Sequence, residues 1–487
     1  MSIHIQFHSH LTDPFHLVVL PVSDPAKLPT EWDIPAIRSG FNAPDMTSHY
    51  SSQTHVLTRS DQTRHTVIKT VKCPANAAID WRFLGGIVGQ TCQKTHPKSV
   101  AIDLRPDNLP QPITPRQIQD IIEGIHLGAF RMTAFKSNPT TLPDITVSLL
   151  GIDSPDTSVS EVGEEMAHTT NRAREWAMMP ANILNPDTFA KLAFELFSGT
   201  DVRVSVIDQE EAIKLGMNAL VGVGKGSVTP PRLLVLSYGI TPDARPVTLV
   251  GKGVTFDTGG ISIKPSSGMN QMKGDMSGAA AVLSAMKGVA SLTPKLPILA
   301  LIPLAENMPD GNAQRPGDVV TAMNGKTIEI LNTDAEGRLI LADALCYAVS
   351  QKADIIIDIA TLTGACKVAL GDQAMGLFTN TDALSTEIMA AAAITGERAW
   401  PLPLYDEYRK ALDSDIADIA HCSEGRYGGS CTAAKFLEQF VSNTPWVHLD
   451  IASVMTDTAS EGHRVKGMSG AGGRLLLQFL LNRATTD

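Results

Sequence analysis

Seven charged side chains that suit metal binding or acid–base chemistry occur in three short segments of this chain. The segments are 247–264, 272–282 and 328–345, and each places polar residues beside an apolar run. The residues are Lys252, Asp257, Lys264, Asp275, Asp334, Glu336 and Arg338. Two glycines directly after Asp257 permit a sharp turn and a close approach of the backbone. The pattern therefore places polar groups where predicted strands end or helices begin.

Each of these residues alone has an ordinary structural explanation. An aspartate at a helix start usually caps the helix, a lysine in an apolar run usually extends its ammonium group to solvent, and an arginine near carboxylates usually forms an ion pair. Together the four carboxylates are harder to explain, because carboxylates that converge without cations raise one another's pKa and destabilise the fold. Divalent metal ions would remove this repulsion, so the pattern predicts a metal site.

The ligand types indicate which metals and which chemistry. No histidine lies in these segments, since only His421, His448 and His463 follow residue 170. Carboxylates with a possible amine ligand suit Zn²⁺, Mn²⁺, Mg²⁺ or Co²⁺, and they can bridge two ions roughly 3.5–4 Å apart, as hydrolases do. Lys252 can bind a metal only as the neutral amine. Lys264 and Arg338 would stay cationic and face developing negative charge.

The elements that must position these residues alternate between strands and helices, which predicts an α/β fold. A polar stretch at 153–160 predicts a linker, so we expect a smaller N-terminal α/β domain (1–155), a linker helix (156–178) and a larger catalytic domain (179–487) with a central mixed sheet flanked by helices. In such sheets ligands bind beyond the carboxyl ends of the strands. Strands are predicted at 3–7, 16–22, 99–104, 145–150, 202–207, 232–238, 247–256, 297–305, 354–360 and 446–452. Helices are predicted at 115–135, 275–290, 336–350, 431–442 and 470–482.

Composition excludes several classes of protein. The 487 residues carry a net charge of −11, which opposes binding to nucleic acid or to anionic lipid. No apolar run approaches the length of about 18 residues that a membrane helix needs, and the first residues lack the pattern of a signal peptide. Six scattered cysteines without a CxxC pair predict reduced thiols in a cytoplasmic protein, with Cys422 and Cys431 not joined in a disulfide.

Several sequence blocks resemble those of the leucyl aminopeptidases, the cytosol aminopeptidase family of two-metal exopeptidases. The most specific is NTDAEGRL at 332–339, and the others keep the family's order over roughly residues 165–480, while 123–137 is similar to the family's N-terminal domain. The other blocks are GKGVTFDTGG (251–260), MKGDMSGAA (272–280), ENMPDGNAQRPGDV (306–319), DIATLTGA (358–365), TAAKFL (432–437) and WVHLDIA (446–452).

The resemblance implies a role for each matching position. The residues implied to hold two metal ions are Lys252, Asp257, Asp275, Asp334 and Glu336. Asp257 and Glu336 would bridge the ions, and the backbone carbonyl of Asp334 would be a further ligand. Lys264 and Arg338 would be the catalytic residues, with a bicarbonate ion at Arg338 as the general base. The residues implied to line the pocket for the N-terminal side chain are Met272, Thr361, Leu362, Gly364, Ala452 and Met455.

The resemblance also implies the reaction and the assembly. The α-amine of a peptide would bind one metal, and a metal-activated water would hydrolyse the first peptide bond, with leucine or methionine preferred at the N-terminus. Members of the family are homohexamers, built as two stacked trimers. The sequence departs from the family pattern at Ser453, where glycine is expected, at Asn270 and Gln271, and within 467–476. These departures affect the expected side-chain preference and leave the metal and catalytic positions intact.

Three other functions are weighed against this one. A narrow dipeptidase that cleaves Cys-Gly would share the site, and assays of Cys-Gly and Leu-amide substrates would separate the two. A DNA-binding regulatory relative is opposed by the acidic charge. An inactive relative kept for assembly is opposed by the complete set of seven matching positions, because an unneeded site would lose some of them.

Overall fold

The computed structural model describes residues 2–8, 15, 17–22, 51–58, 65–72, 79–106, 109, 111–139, 143–152, 156–423, 425 and 427–485. The chain divides into two compact units. One contains residues 1–168 and 459–465, and the other contains 169–458 and 466–487. The return of 459–465 to the first unit is not indicated by the sequence pattern.

The first unit is built around a six-stranded mixed sheet. The sheet has the order β1-β6-β5-β2-β4-β3 and is parallel except for the β3–β4 pair. The strands are β1 (Ile3–His8), β2 (Leu17–Val22), β3 (Ser51–Thr58), β4 (His65–Lys72), β5 (Ser99–Asp103) and β6 (Ile145–Leu150). The helices are α1 (Trp81–Thr95), α2 (Pro115–Gly128) and the first half of α3 (Thr157–Met178).

Helix α2 shows how the local sequence selects an element. Thr114 accepts a hydrogen bond from the backbone N–H of Gln117, whose side chain accepts one from the backbone N–H of Thr114, so a capping box opens the helix. Pro115 fits the first turn, as expected, because its missing N–H needs no partner there. The helix ends at Gly128, seven residues before the predicted end at 135.

Helix α3 spans the division between the two units, which falls at residues 168 and 169. It occupies most of the range for which we predict a linker helix, 156–178. Residues 153–155 of the predicted linker lie outside the described residues, as does residue 16 of a predicted strand and Cys73. The domain boundaries themselves remain a prediction.

The second unit has a nine-stranded mixed sheet of order β16-β15-β18-β14-β9-β11-β8-β7, with β10 paired to β11. Two small sheets, β12-β13-β17 and β19-β20, complete it. The strands are β7 (Arg203–Ile207), β8 (Arg232–Tyr238), β9 (Val247–Gly251), β10 (Gly253–Asp257), β11 (Ile298–Asn307), β12 (Val319–Thr321), β13 (Thr327–Glu329), β14 (Ile355–Ala360), β15 (Met375–Thr379), β16 (Ala399–Pro401), β17 (Ile419–Ala420), β18 (Trp446–Asp450), β19 (Thr456–Asp457) and β20 (Gly467–Met468). The helices are α4 (Pro186–Phe197), α5 (Gln209–Lys214), α6 (Asn218–Gly224), α7 (Ser277–Leu292), α8 (Gly337–Ser350), α9 (Gly364–Leu370), α10 (Asp382–Thr395), α11 (Gly429–Glu438) and α12 (Gly473–Ala484), with 3₁₀ turns at Met269–Gly274 and Asp406–Leu412.

The α/β fold class and the mixed central sheet are confirmed. Every residue of β9, β14 and β18 is buried, because helices such as α7 and α8 pack on the sheet. The strands β9, β10, β11, β14 and β18 all run parallel to one another. Their carboxyl ends therefore meet at one edge, where ligands bind in such sheets.

One predicted strand is wrong in detail. The run 247–256 is divided into β9 and β10 at Lys252. There the backbone N–H of Lys252 donates to the carbonyl of Ile359, while its carbonyl accepts from the N–H of Ala279. The break lets β9 lie between β11 and β14 while β10 pairs with the far end of β11. Strands β3 and β4 and helix α1 are further elements that the sequence pattern does not predict.

Among the described residues, no helix combines the length and the apolar character needed to cross a membrane. Cys422 and Cys431 are not joined in a disulfide, as expected.

Candidate metal centre

One cavity collects every site residue that the sequence singles out. Its volume is about 390 Å³. The strand ends at this sheet edge, the turn before α8 and the loops after β14 and β18 supply its lining. The predicted residues that line it are Lys252, Asp257, Lys264, Met272, Asp275, Asp334, Glu336, Arg338, Thr361, Leu362, Gly364, Ala452 and Met455. Their functional roles stay predictions, but their convergence is a fact of the fold.

Asp257 ends β10 and is held by two hydrogen bonds to one carboxylate oxygen. The backbone N–H of Gly259 donates to Oδ1 at 2.9 Å, and Nδ2 of Asn307 donates to the same oxygen at 2.8 Å. Asn307 ends the neighbouring strand β11, is almost fully buried, and also donates to the carbonyl of Thr333 at 2.9 Å. Asn307 therefore ties Asp257 to the turn that carries the other carboxylates.

Lys252 lies at the break between β9 and β10, and its ammonium does not reach solvent. The side chain is only 4% exposed. Its Nζ lies 2.8 Å from Oδ2 of Asp275 and 3.0 Å from Oε1 of Glu336, and it donates to the carbonyl of Thr361 at 3.1 Å. The ordinary explanation for a lysine in an apolar run, an ammonium extended to water, is thus wrong here.

Lys264 bridges a different pair of carboxylates. Its Nζ lies 2.7 Å from Oδ2 of Asp257 and also contacts Oδ1 of Asp334. The turn that delivers Lys264 depends on Gly259, whose φ is +88°. A Cβ atom there would also lie 2.4 Å from the carbonyl oxygen of Ser262, so only glycine fits this position without strain.

The turn before α8 carries two carboxylates. Asp257, Asp334 and Glu336 each offer an oxygen within 4.8 Å of the oxygens of the other two, a spacing that suits a shared metal ion. Gly337 follows Glu336 directly, and a Cβ atom on Gly337 would lie 2.6 Å from Nζ of Lys252. The absence of a side chain at this glycine therefore makes room for the buried lysine.

Arg338 lies in the first turn of α8 and is only 7% exposed. Its Nη1 donates to the carbonyl of His421 at 2.9 Å. Its Nε is buried and has no hydrogen-bond partner within the part of the chain that the structure describes. His421 in turn lies 2.8 Å through Nε2 from the carbonyl of Asn332, which fixes the start of the turn. A buried guanidinium with an unused donor is suited to binding an anion.

Burial and charge shift the ionisation of the cluster. Burial raises the pKa of Asp257 to about 6, with repulsion from Glu336 adding to the effect. Burial also raises the pKa of Asp275 and that of Asp334 above their usual range. Burial opposes the ammonium form of Lys252, but the carboxylates of Asp275 and Glu336 raise its pKa above the ordinary value. The cluster thus has the excess of negative charge that a cation would balance.

The apolar side of the cavity is held in place by Asp450, the last residue of β18. This carboxylate is fully buried, and its Oδ1 accepts the backbone N–H of Leu362 at 3.2 Å, of Thr363 at 3.4 Å and of Ala452 at 3.1 Å. Its Oδ2 accepts the hydroxyl of Thr363 at 2.6 Å. Asp450 therefore joins the two loops that carry Leu362, Gly364, Ala452 and Met455.

The departure at Ser453 has a structural explanation. Its side chain is buried behind the loop and donates to the carbonyl of Ala374 at 2.7 Å. Ser453 does not belong to the cavity lining. The hydroxyl therefore does not narrow the pocket.

Sequence reasoning missed Asn307, Asp450 and Lys367 as parts of this site. Asn307 and Asp450 are polar residues at the ends of buried strands, which is the signal that identified Asp257. Lys367 on α9 lines the cavity, but its sequence context gives no signal.

This geometry describes a hydrolase site with carboxylates, amines and a buried guanidinium, and comparisons with known proteins agree. The model of the cytosol aminopeptidase family, catalytic domain, matches residues 171–477. A probable cytosol aminopeptidase from Brucella anthropi is 44% identical over 409 residues, which cover 82% of this chain and 80% of that protein. One from Solibacter usitatus is 47% identical over 364 residues, which cover 74% of this chain and 75% of that protein.

Solved structures show the same likeness. The bottromycin maturation enzyme BotP in complex with Mn is 33% identical, with a TM-score of 0.85 over 96% of this chain and 99% of that chain. A second BotP structure gives a TM-score of 0.84. The chain belongs to the cytosol aminopeptidase family of metal-dependent exopeptidases. The DNA-binding and narrow-dipeptidase alternatives are not favoured.

Proposed function

We propose that this aminopeptidase removes leucine- or methionine-like residues from the N-terminus of peptides by means of two divalent ions. The observation that carries the proposal is the convergence of four carboxylates and four cations in one cavity whose lining also contains apolar side chains. The polar half suits the chemistry of the peptide bond. The apolar lining residues Met272, Leu362, Ala452 and Met455 suit an unbranched or γ-branched side chain.

The donor set fits the metals that the family uses. The residues that would hold them are Lys252, Asp257, Asp275, Asp334 and Glu336. Carboxylate oxygens of Asp257, Asp334 and Glu336 lie within 4.8 Å of one another. Mn²⁺ and Zn²⁺ are the favoured ions, with Mg²⁺ and Co²⁺ also compatible with oxygen ligands. When bound, such ions polarise a carbonyl group and acidify a water molecule.

Lys264 and Arg338 are the proposed catalytic residues. The ammonium of Lys264 lies in the polar half of the cavity, where it can stabilise an oxyanion that develops on the scissile carbonyl. Burial lowers the pKa of Arg338, but a guanidinium stays protonated at neutral pH. Its unused Nε–H supports the binding of bicarbonate there, and such an ion would supply a general base at this position.

The proposal also covers the substrates, the assembly and the location of the enzyme. We infer peptide substrates, a homohexameric assembly and a cytoplasmic location from the family, and the net charge of −11 opposes a nucleic-acid partner.

The experiment that tests the proposed function is hydrolysis of Leu-p-nitroanilide by metal-stripped protein with Mn²⁺ or Zn²⁺ added back. N-acetyl-Leu-p-nitroanilide is the matched control, because it lacks the free amine. Metal-dependent release that disappears on acetylation is expected. Absence of release with every metal, in protein with a native circular dichroism spectrum, would refute the proposal and favour Cys-Gly as the substrate. Light scattering after size exclusion tests the hexamer.

A further inference from the structure

Lys367 lines the cavity but has no role in the proposed mechanism. It belongs to α9, and its side chain is exposed and lines the same cavity as the carboxylate cluster. Within the described residues, its ammonium makes no hydrogen bond or ion pair. The other three cations of the cavity are all engaged, Lys252 and Lys264 by carboxylates and Arg338 by a backbone carbonyl.

Lys367 shares the cavity-lining face of α9 with Gly364. Gly364 and Lys367 are three residues apart on the helix, so they lie on the same face, and both line the cavity. Gly364 presents no side chain in this space, and a Cβ atom there would meet nothing within 4 Å. The aliphatic stem of Lys367 can therefore lie along the wall while its ammonium stays in water.

We propose that Lys367 binds a carboxylate of the substrate, so that the enzyme favours peptides that present a carboxylate to this residue. The proposal deepens the proposed function and rests on it. The cavity combines an apolar wall with an unpaired ammonium, and this pairing fits an aliphatic chain that ends in a negative charge. The carboxylate has two possible sources, the side chain of an N-terminal glutamate or aspartate and the terminal carboxylate of a dipeptide.

The test compares substrates that differ only in charge. Glu-p-nitroanilide and Gln-p-nitroanilide have nearly the same shape, as do Leu-Gly and Leu-Gly-amide. Lys367→Met removes the ammonium and keeps the stem, and Lys367→Arg keeps the charge. Lys410→Met, at an exposed lysine outside the cavity lining, is the matched control.

The expected result is a ratio of kcat/KM for Glu over Gln, or for Leu-Gly over its amide, that falls about fivefold in Lys367→Met, the effect of one partly exposed ion pair. The first ratio identifies the N-terminal side chain as the source, and the second identifies the terminal carboxylate. Lys367→Arg should restore the affected ratio, and Lys410→Met should leave both unchanged. Hydrolysis of Leu-p-nitroanilide should be unchanged in Lys410→Met, which lies outside the cavity lining.

Two outcomes would overturn the inference, and they are distinguishable. If the unaltered enzyme cleaves Leu-p-nitroanilide and neither ratio responds to Lys367→Met, the carboxylate role of Lys367 is wrong while the proposed function stands. If the unaltered enzyme with added metal cleaves none of the substrates, the proposed function fails and the inference fails with it.

Discussion

Replacement of Asp450 by asparagine tests whether this buried carboxylate positions the two loops that carry apolar residues of the cavity. In the folded protein this carboxylate accepts three backbone N–H groups, from Leu362, Thr363 and Ala452, and one hydroxyl. The substituted asparagine keeps the shape and one acceptor oxygen, which can serve the three N–H groups. Its amide nitrogen then faces the hydroxyl of Thr363, whose oxygen already accepts the N–H of Cys366 at 3.0 Å.

The size of the effect follows from the bond that is lost. A hydrogen bond to a charged acceptor contributes about 1.5–3 kcal/mol, so Asp450→Asn should lower the free energy of unfolding by about 2 kcal/mol. For a unit of this size, that is a decrease in Tm of about 3 °C. If about half of this energy appears as a poorer fit of the pocket loops, KM for Leu-p-nitroanilide rises about fivefold.

The assay measures Tm by calorimetry and KM and kcat with Leu- and Ala-p-nitroanilide. Asp358→Asn is the matched control, because Asp358 is equally buried on the neighbouring strand but accepts from Trp446 at 2.6 Å and lies outside the cavity lining. The control should lose stability without a change in KM. If Asp450→Asn lowers Tm while KM and the Leu/Ala preference stay as in the unaltered enzyme, Asp450 has only a structural role and the reasoning is refuted.

Three further predictions concern the rest of the site and its surroundings. Asn307→Ala removes the donor that orients Asp257, so metal affinity measured by titration calorimetry should fall about tenfold or more, and an unchanged affinity would contradict the orienting role. Lys264→Ala and Arg338→Ala should each lower kcat strongly while they retain metal, and near-normal turnover in either variant would show that its assigned role is wrong. Burial raises the pKa of Asp343 to about 7, so the carboxyl group keeps its proton to a higher pH in the folded protein than in the unfolded chain. The free energy of unfolding should therefore fall as the pH rises from about 4 to about 7, by up to about 4 kcal/mol. Asp343→Asn has no carboxyl group to titrate at this position, so it should not show this loss of stability. If the difference in Tm between Asp343→Asn and the unaltered protein is constant from about pH 4 to about pH 7, the raised pKa of Asp343 is disproved.

The sequence determined the chemistry and the class of fold. The types and order of Lys252, Asp257, Asp275 and the NTDAEGRL block carry the family resemblance, because metal ligation demands particular donor atoms. Alternation of apolar runs was enough to predict an α/β fold with a buried central sheet, since side-chain periodicity reflects burial locally. Strong strands such as β14 and β18 were predicted to within two residues for the same reason.

Only the tertiary structure decided which residues support the site from outside it. Asn307 lies 50 residues from Asp257, and Asp450 lies 88 residues from Leu362, so no local pattern connects these pairs. The break of the strand at Lys252 depends on which neighbours pair with β9 and β10, and it makes Lys252 a buried partner of Asp275 and Glu336. Long-range pairing and desolvation, which arise only when the strand ends meet, set these contacts and the pKa values that follow from them.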